Sequence, residues 1–391
     1  MKRTRRLLQL AFLLLTVAGV FLLRANAERW CPLGGVEAIY TYVNEGNMPC
    51  SLAVSNFYIL AGLVVMTLLL RRAFCGYVCP IGAISEWLRG GARRLRIPAL
   101  PVHPRLDVVL SLLKYPLLAV ILYFTYRTGE LIFRGFDPCY ALIGRHGEDI
   151  TFWAYIVSAA IVAISIFIVV PFCRWFCPLA VVLNPFSWVG LTRVKRDLDA
   201  CLDCGKCDQS CPMAIPVSHM PSVTSARCTS CLNCVEACPT KEEGALMWGP
   251  PRALGRSWPQ MALIGALAAC LTAAVAAGYV WPIPSFVQQR GEAPPDTAAV
   301  ELQVTGLDCR GRGSLFWYYL DRDDMYAVEG YLKLEAWPAP ESAKVNIIYD
   351  AKRASEQALK EAITEPYYDA TASIWRPSPF EIEGYDSLGL E

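Results

Sequence analysis

The hydrophobic positions of this chain fall into long, almost uninterrupted runs, with polar residues pressed into the segments between them. Spanning a bilayer takes about 20 predominantly apolar residues in a helix. Five segments meet that requirement: residues 7–23, 52–70, 108–126, 151–172 and 259–281. The third holds the only charge among them, Lys114, close behind Arg105. A lysine near a membrane face is expected to lay its apolar stem along the helix and snorkel to the surface. Residues 283–300 are rich in Pro, Gln and small side chains and read as a linker. Beyond them the pattern is that of a small soluble domain. Residues 301–306, 331–337 and 344–349 alternate like strands, and 314–321 and 354–363 read as helices. The order strand, helix, strand, strand, helix suits an α+β, ferredoxin-like unit.

The distribution of Lys and Arg orients the spans. Basic residues cluster at the start (Lys2, Arg3, Arg5, Arg6), after the second span (Arg71, Arg72, Arg89, Arg93, Arg94, Arg96, Arg105) and after the fourth (Arg174, Arg193, Lys195, Arg196). The loops 24–51 and 127–150 are poor in them. The predicted arrangement puts the amino end, the second loop and the segment after the fourth span in the cytoplasm. The intervening loops and everything after the fifth span lie outside. Residues 1–27 serve either as a first transmembrane helix or as a signal peptide ending at Ala25-Asn26-Ala27.

Composition agrees with a membrane protein. Of 391 residues, 54% are hydrophobic and only 18% charged. A formal net charge of +1 gives no reason to expect nucleic acid as a partner.

The cysteines change the picture most. There are 17, and eight of them lie between Cys201 and Cys238. They read Cys201-x2-Cys204-x2-Cys207-x3-Cys211-Pro212 and Cys228-x2-Cys231-x2-Cys234-x3-Cys238-Pro239. A cubane needs four thiolates, and three closely spaced cysteines wrap one corner of it. In two-cluster ferredoxins the fourth cysteine of each run ligates the other cluster. Carried onto this sequence, one [4Fe-4S] cluster takes Cys201, Cys204, Cys207 and Cys238, and the other takes Cys228, Cys231, Cys234 and Cys211. A zinc site is the competing interpretation, and two complete copies of the iron-sulfur spacing stand against it. Such thiolates need protection from oxidation, which agrees with a cytoplasmic insert. No Gly-rich phosphate loop accompanies the insert, and no C-x-x-C-H attaches a c-type haem.

A weaker repeat lies in the membrane part. Cys75-x3-Cys79-Pro80 follows the second span and Cys173-x3-Cys177-Pro178 follows the fourth, so the first four spans read as two related hairpins. Three roles stay open for these four thiols: a further metal or cluster, a redox thiol pair, or buried free cysteines. Cys31, Cys50 and Cys139 fall in the exported loops, where a Cys31–Cys50 disulfide, free thiols or another metal site are the alternatives. Cys270 sits mid-helix among Ala and Leu, as a buried cysteine would. His103, His146 and His219 read as surface polar residues.

The two C-x3-C-P motifs, the two-cluster insert and the several spans together resemble the membrane-bound 4Fe-4S polyferredoxins, the NapH-like, NosR-like and CcoG-like proteins. The resemblance covers roughly residues 50–245. It implies electron transfer between a cytoplasmic or quinol donor and an exoplasmic acceptor. It also implies the bacterial inner membrane as location and redox proteins on one or both sides as partners. The tail opens on Leu307-Asp308-Cys309-Arg310-Gly311-Arg312, which resembles the first loop of heavy-metal-associated domains with arginine in place of the second metal-binding cysteine. That keeps an alternative in view, an exoplasmic copper or mercury reductase or metal-handling protein with Cys309 in its capture module. A redox sensor or assembly scaffold is the third reading.

The expected architecture is therefore an α-helical membrane protein of about five spans. Residues 1–27 form the first helix, 28–197 the membrane domain, 198–247 the two-cluster insert and 258–282 the last span. A linker over 283–300 then leads to an exoplasmic α+β domain over 301–391.

Overall fold

The computed structural model describes residues 2–22, 32–45, 51–128, 136, 138, 141, 151–250, 257–308, 310–339, 341–369 and 374–385. The chain divides into two compact units, one formed by residues 1–36 and 58–277 and the other by 37–57 and 278–391.

The first unit is built on helices α1 (Lys2–Phe21), α2 (Pro32–Glu45) and α3 (Ser51–Leu70), the last two divided between the units. The short α4 (Ala73–Tyr77) leads into α5 (Pro80–Arg94), and α6 (Pro104–Leu112) continues as α7 (Lys114–Thr128). α8 (Phe152–Phe167) is joined to α9 (Pro178–Val189) by a π-helical turn, Phe172–Phe176. Among the described residues, three helical stretches are long and apolar enough to cross a membrane: Arg3–Phe21, Pro104–Thr128 and Gln260–Val280. The other two expected spans correspond to shorter apolar helices, Val54–Leu70 and Phe152–Phe167. The expected fourth span stops early for a local reason. The run Ile168-Val169-Val170 precedes Pro171, and a residue before proline is pushed out of the helical region. Ile168 is extended, and Val170 takes φ of 45°, an uncommon choice for a β-branched side chain.

The break between α6 and α7 also has a cause. Pro116 cannot donate to the carbonyl of Leu112, so the ladder is interrupted there. Lys114 sits at this break. It does not snorkel: it is only 3% exposed, with its amine 5.8 Å above the Tyr115 ring.

The cysteine-rich insert follows α9. Strand β1 (Arg193–Arg196) pairs antiparallel with β2 (Leu246–Gly249) and closes the base of the insert. Between them lie two one-turn helices, α10 (Lys206–Ser210) and α11 (Asn233–Ala237), and the long α12 (Gln260–Val280) follows. The insert is not a separate lobe. Leu63, Met66 and Leu183 of the helices, Met213 and Trp248 of the insert, and Leu263 of α12 belong to one buried core. α3 and α12 approach closely, because a Cβ on Gly62 would overlap that of Ala274.

The second unit carries a five-stranded antiparallel sheet made of β3 (Phe286–Arg290), β4 (Thr297–Thr305), β5 (Leu332–Trp337), β6 (Ala343–Asp350) and β9 (Glu381–Ile382), in the order β3-β5-β6-β4-β9. Helices α13 (Arg310–Leu320) and α14 (Glu356–Thr364) supply Phe316, Leu320, Leu359 and Ile363 to its core. Strands β7 (Tyr367–Asp369) and β8 (Ile374–Arg376) form a separate hairpin. Leaving β3 aside, the sheet is that of a split βαβ fold. Residues 283–300, expected as a linker, instead contain β3 and the start of β4. β3 pairs along β5 from Phe286↔Ala336 to Arg290↔Leu332, so backbone hydrogen bonding overrides a composition poor in large apolar residues.

Candidate metal centres

The insert encloses two small cavities of similar size, about 360 and 350 Å³ including open space. The first is lined by Cys211, Cys228, Cys231 and Cys234, with Val194, Met213 and Ile215 making the rest of its wall apolar. The second is lined by Cys201, Cys204, Cys207 and Cys238. Each cavity thus takes three cysteines from one run and the fourth from the other.

The backbone explains how three closely spaced cysteines face one cavity. Asp203 and Gly205 in the first run take positive φ, and so do their counterparts Ser230 and Leu232 in the second. Alternating right- and left-handed residues turn successive N–H groups inward, which makes the concavity that anions and iron-sulfur sites use. Glycine adopts this conformation freely. Leucine does not, at a cost of about 1–2 kcal/mol, so Leu232 marks a conformation imposed by its surroundings. Cys211 accepts a hydrogen bond at its sulfur from the Ile215 N–H, 3.4 Å away. Burial, with Cys231 adding to it, pushes the Cys211 thiol up to about 12. Thiol ligands give up their protons when they bind a metal. Among the described residues no three metal-ligating side chains close on a point fit for a single bare ion. Four thiols spaced around an apolar cavity are instead the donor set of a cubane.

The C-x3-C-P loops repeat one design. The Cys79 N–H reaches back to the Phe74 carbonyl (3.0 Å), and the Cys177 N–H to the Phe172 carbonyl (2.9 Å). Both are i→i−5 bonds of the π type, often found at functional sites. Cys79 then caps α5 and Cys177 caps α9, each with proline at the first helical position. The two loops meet. The Cys79 thiol lies close to that of Cys173, and both Cys75 and Cys79 lie within electrostatic reach of Cys177. Gly82 on α5 permits this approach, since a Cβ there would lie 2.8 Å from the Cys75 carbonyl and 3.9 Å from the Cys173 sulfur.

Arginines, several of them buried, flank the cysteine motifs, and sequence reasoning missed their role. Arg71, fully buried, donates to the carbonyls of Ser187 (3.1 Å), Val223 (2.6 Å) and Thr224 (2.9 Å), and its charge lies near the Cys228 thiol. Arg196 Nε lies 3.1 Å from the Cys201 sulfur. Arg5 of α1 is 1% exposed, pairs with Glu86 and reaches the Gly76 carbonyl at 3.3 Å. Gln9, one turn on, donates to the same carbonyl at 3.0 Å. Asp107 ties three segments together. Its Oδ1 accepts from Arg174 Nη2 (2.6 Å) and Trp175 Nε1 (2.8 Å) of the second C-x3-C loop, and its Oδ2 from Arg227 Nη2 (2.7 Å), next to Cys228. The signal was present in the sequence, as basic residues beside every cysteine motif. It reads as membrane topology until burial is known.

Cys270 is half-buried on α12. Cys31, Cys50, Cys139 and Cys309 lie outside the described residues, and with them the disulfide, the exported metal site and the metal-capturing tail.

Comparison with known proteins bears on the same residues. A family model described as a 4Fe-4S binding domain matches twice, over residues 52–98 and 150–197. A 4Fe-4S dicluster domain matches residues 193–239. YccM of Escherichia coli, provisionally an electron transport protein, is 27% identical over 278 residues, covering 67% of this chain and 77% of its own length. The uncharacterized protein MJ0750 of Methanocaldococcus jannaschii is 30% identical, over 53% of this chain and 82% of its own. The ferredoxin-type protein NapH of Escherichia coli is 29% identical, over 50% of this chain and 68% of its own. No solved structure matches. The class defined here is that of membrane proteins built around 4Fe-4S domains for electron transport. Within it, the chain belongs to the membrane polyferredoxin-like family that includes these relatives.

Proposed function

We propose that the chain is a membrane-anchored electron relay whose insert carries two [4Fe-4S] clusters. One is held by Cys201, Cys204, Cys207 and Cys238, the other by Cys228, Cys231, Cys234 and Cys211. The observation that supports this is the pair of cavities, each lined by four thiols drawn three and one from the two runs. The bound clusters supply one-electron chemistry. The chain's own residues hold them close together, exclude water with Met213, Ile215 and Leu246, and present the Arg196 and Arg71 guanidinium groups to their thiolates.

A cytoplasmic or quinol donor reduces the insert, and electrons leave toward an acceptor on the exported side of a bacterial inner membrane. The second cavity is the entry, since Cys204 in its wall is exposed. The first is the exit, since its ligand loop rests on the membrane hairpins. Helix α1 stays with the working protein, because its removal would leave Glu86 and the Gly76 carbonyl without Arg5.

The test is a redox titration of the anaerobically purified chain, followed by paramagnetic resonance. Two magnetically interacting cubane signals are expected. A chain that never acquires reducible iron overturns the reading.

A further inference from the structure

The four thiols of the two C-x3-C-P loops form a second kind of site, built two and two rather than three and one. Cys75 and Cys79 come from the first hairpin and Cys173 and Cys177 from the second, and the contacts at Gly82 bring them to one place.

Arg72 shows what the site lacks. It is 0% exposed, yet its side-chain partners among the described residues are Asn184 Oδ1 at 3.4 Å and the Cys75 sulfur at 3.9 Å, and its Nε has none. A cation buried without an anion is strongly disfavoured. The thiols that crowd it, Cys75, Cys177 and Cys173, are the groups able to supply negative charge. The insert shows a similar pattern, with Arg196 Nε on the Cys201 sulfur and the charge of Arg71 near Cys228. Two helix N-termini add to it. Cys79 and Cys177 cap α5, of 15 residues, and α9, of 12, so the positive end of each dipole faces the thiols. Four soft donors, a buried guanidinium and two helix ends fit an anionic thiolate-ligated centre.

We propose that Cys75, Cys79, Cys173 and Cys177 hold a third iron-sulfur centre of the cubane class at the membrane face, with Arg72 as its buried counter-charge. It is the station that receives electrons from the cluster of Cys211, Cys228, Cys231 and Cys234, and in that respect it rests on the relay reading above. The two sets of thiols adjoin through backbone. A Cβ on Gly76, between Cys75 and Cys79, would lie 2.9 Å from the Thr229 carbonyl oxygen and 3.5 Å from Cys231 Cβ. One electron leaves the insert cluster and enters the membrane-face centre. No bond is made or broken.

The experiment measures iron and acid-labile sulfide in the full chain, purified anaerobically, with paramagnetic resonance after dithionite. About twelve irons per chain are expected, falling to about eight in Cys173→Ala with the two insert signals kept. Arg72→Met keeps all four thiols. Its expected effect is a shift of the third signal to lower potential while the insert signals stay, because loss of a cation disfavours the reduced state. Wild-type protein with about eight irons and both insert signals overturns the third centre and leaves the relay standing. So does Cys173→Ala with unchanged iron, or an Arg72→Met protein in which no signal moves. A chain without iron overturns both.

Discussion

The insert and the membrane face both gather cysteines, but they do it differently. In the insert, eight cysteines lie close together in sequence, and short turns with residues in the left-handed region aim them. At the membrane face, two hairpins far apart in the chain contribute two thiols each, and packing of α5 against α8 and the π turn brings them together. A site closed by local turns loses little entropy beyond those turns. One closed by distant segments must wait for the core. The insert sites are therefore specified by spacing, and the membrane-face site by burial and by the arginines that hold the hairpins and insert in register.

That contrast can be broken. The largest effect is expected from the crossed ligands. Cys211→Ala should remove the cluster of the second run and Cys238→Ala that of the first, each costing about four irons per chain. If Cys211→Ala removed the signal that Cys204→Ala also removes, the exchange of fourth ligands would be wrong. Next comes Arg71→Met. Three carbonyls lose a charged donor, and hydrogen bonds of this kind contribute roughly 1.5–3 kcal/mol each. Faster amide exchange in residues 220–235 is expected, with the C-terminal sheet unaffected. Protection unchanged there would show that the insert docks without its arginine. The smallest effect is expected from Gly76→Ala. The added methyl forces the C-x3-C loop and the Thr229 loop apart by tenths of an ångström, at about 1–3 kcal/mol by comparison with other overpacked sites. A melting temperature equal to that of the parent chain would mean the two loops are not in contact.

Much of the insert was legible because its information is local. Spacing marks the cysteines, and Pro212 and Pro239 mark the ends of the runs. The membrane face was half legible. The two C-x3-C-P motifs stood out as a repeat, but nothing in either one shows that they meet. Arg71, Arg72, Arg89 and Arg174 read as cytoplasmic loop charges, yet all four are buried. Arg89, for example, donates to the Ile97 and Ile166 carbonyls, and so satisfies the end of α8. A guanidinium has a long stem and five donors, so it spans layers that a sequence window never contains. Lys114 misled in the same way, because a surface reach was assumed where the helix breaks at Pro116. In the tail, the burial pattern of β6 matched its alternation, whereas β3 was hidden in a stretch without apolar rhythm and is defined by the partner strand it pairs with.

The bond from Arg5 to the Gly76 carbonyl sets a timetable for making the protein. The two residues are 71 positions apart, so the first helix is synthesised roughly 4–14 s before its acceptor, at about 5–20 residues per second. The insert that rests on Gly76 comes later still. During that interval α1 carries an unmatched arginine near its end, which holds that end near water rather than deep in the bilayer. The helix settles only when the first cysteine loop has turned back toward it. Burial of Arg5 is thus a late event, one that waits for residues made long after its own helix.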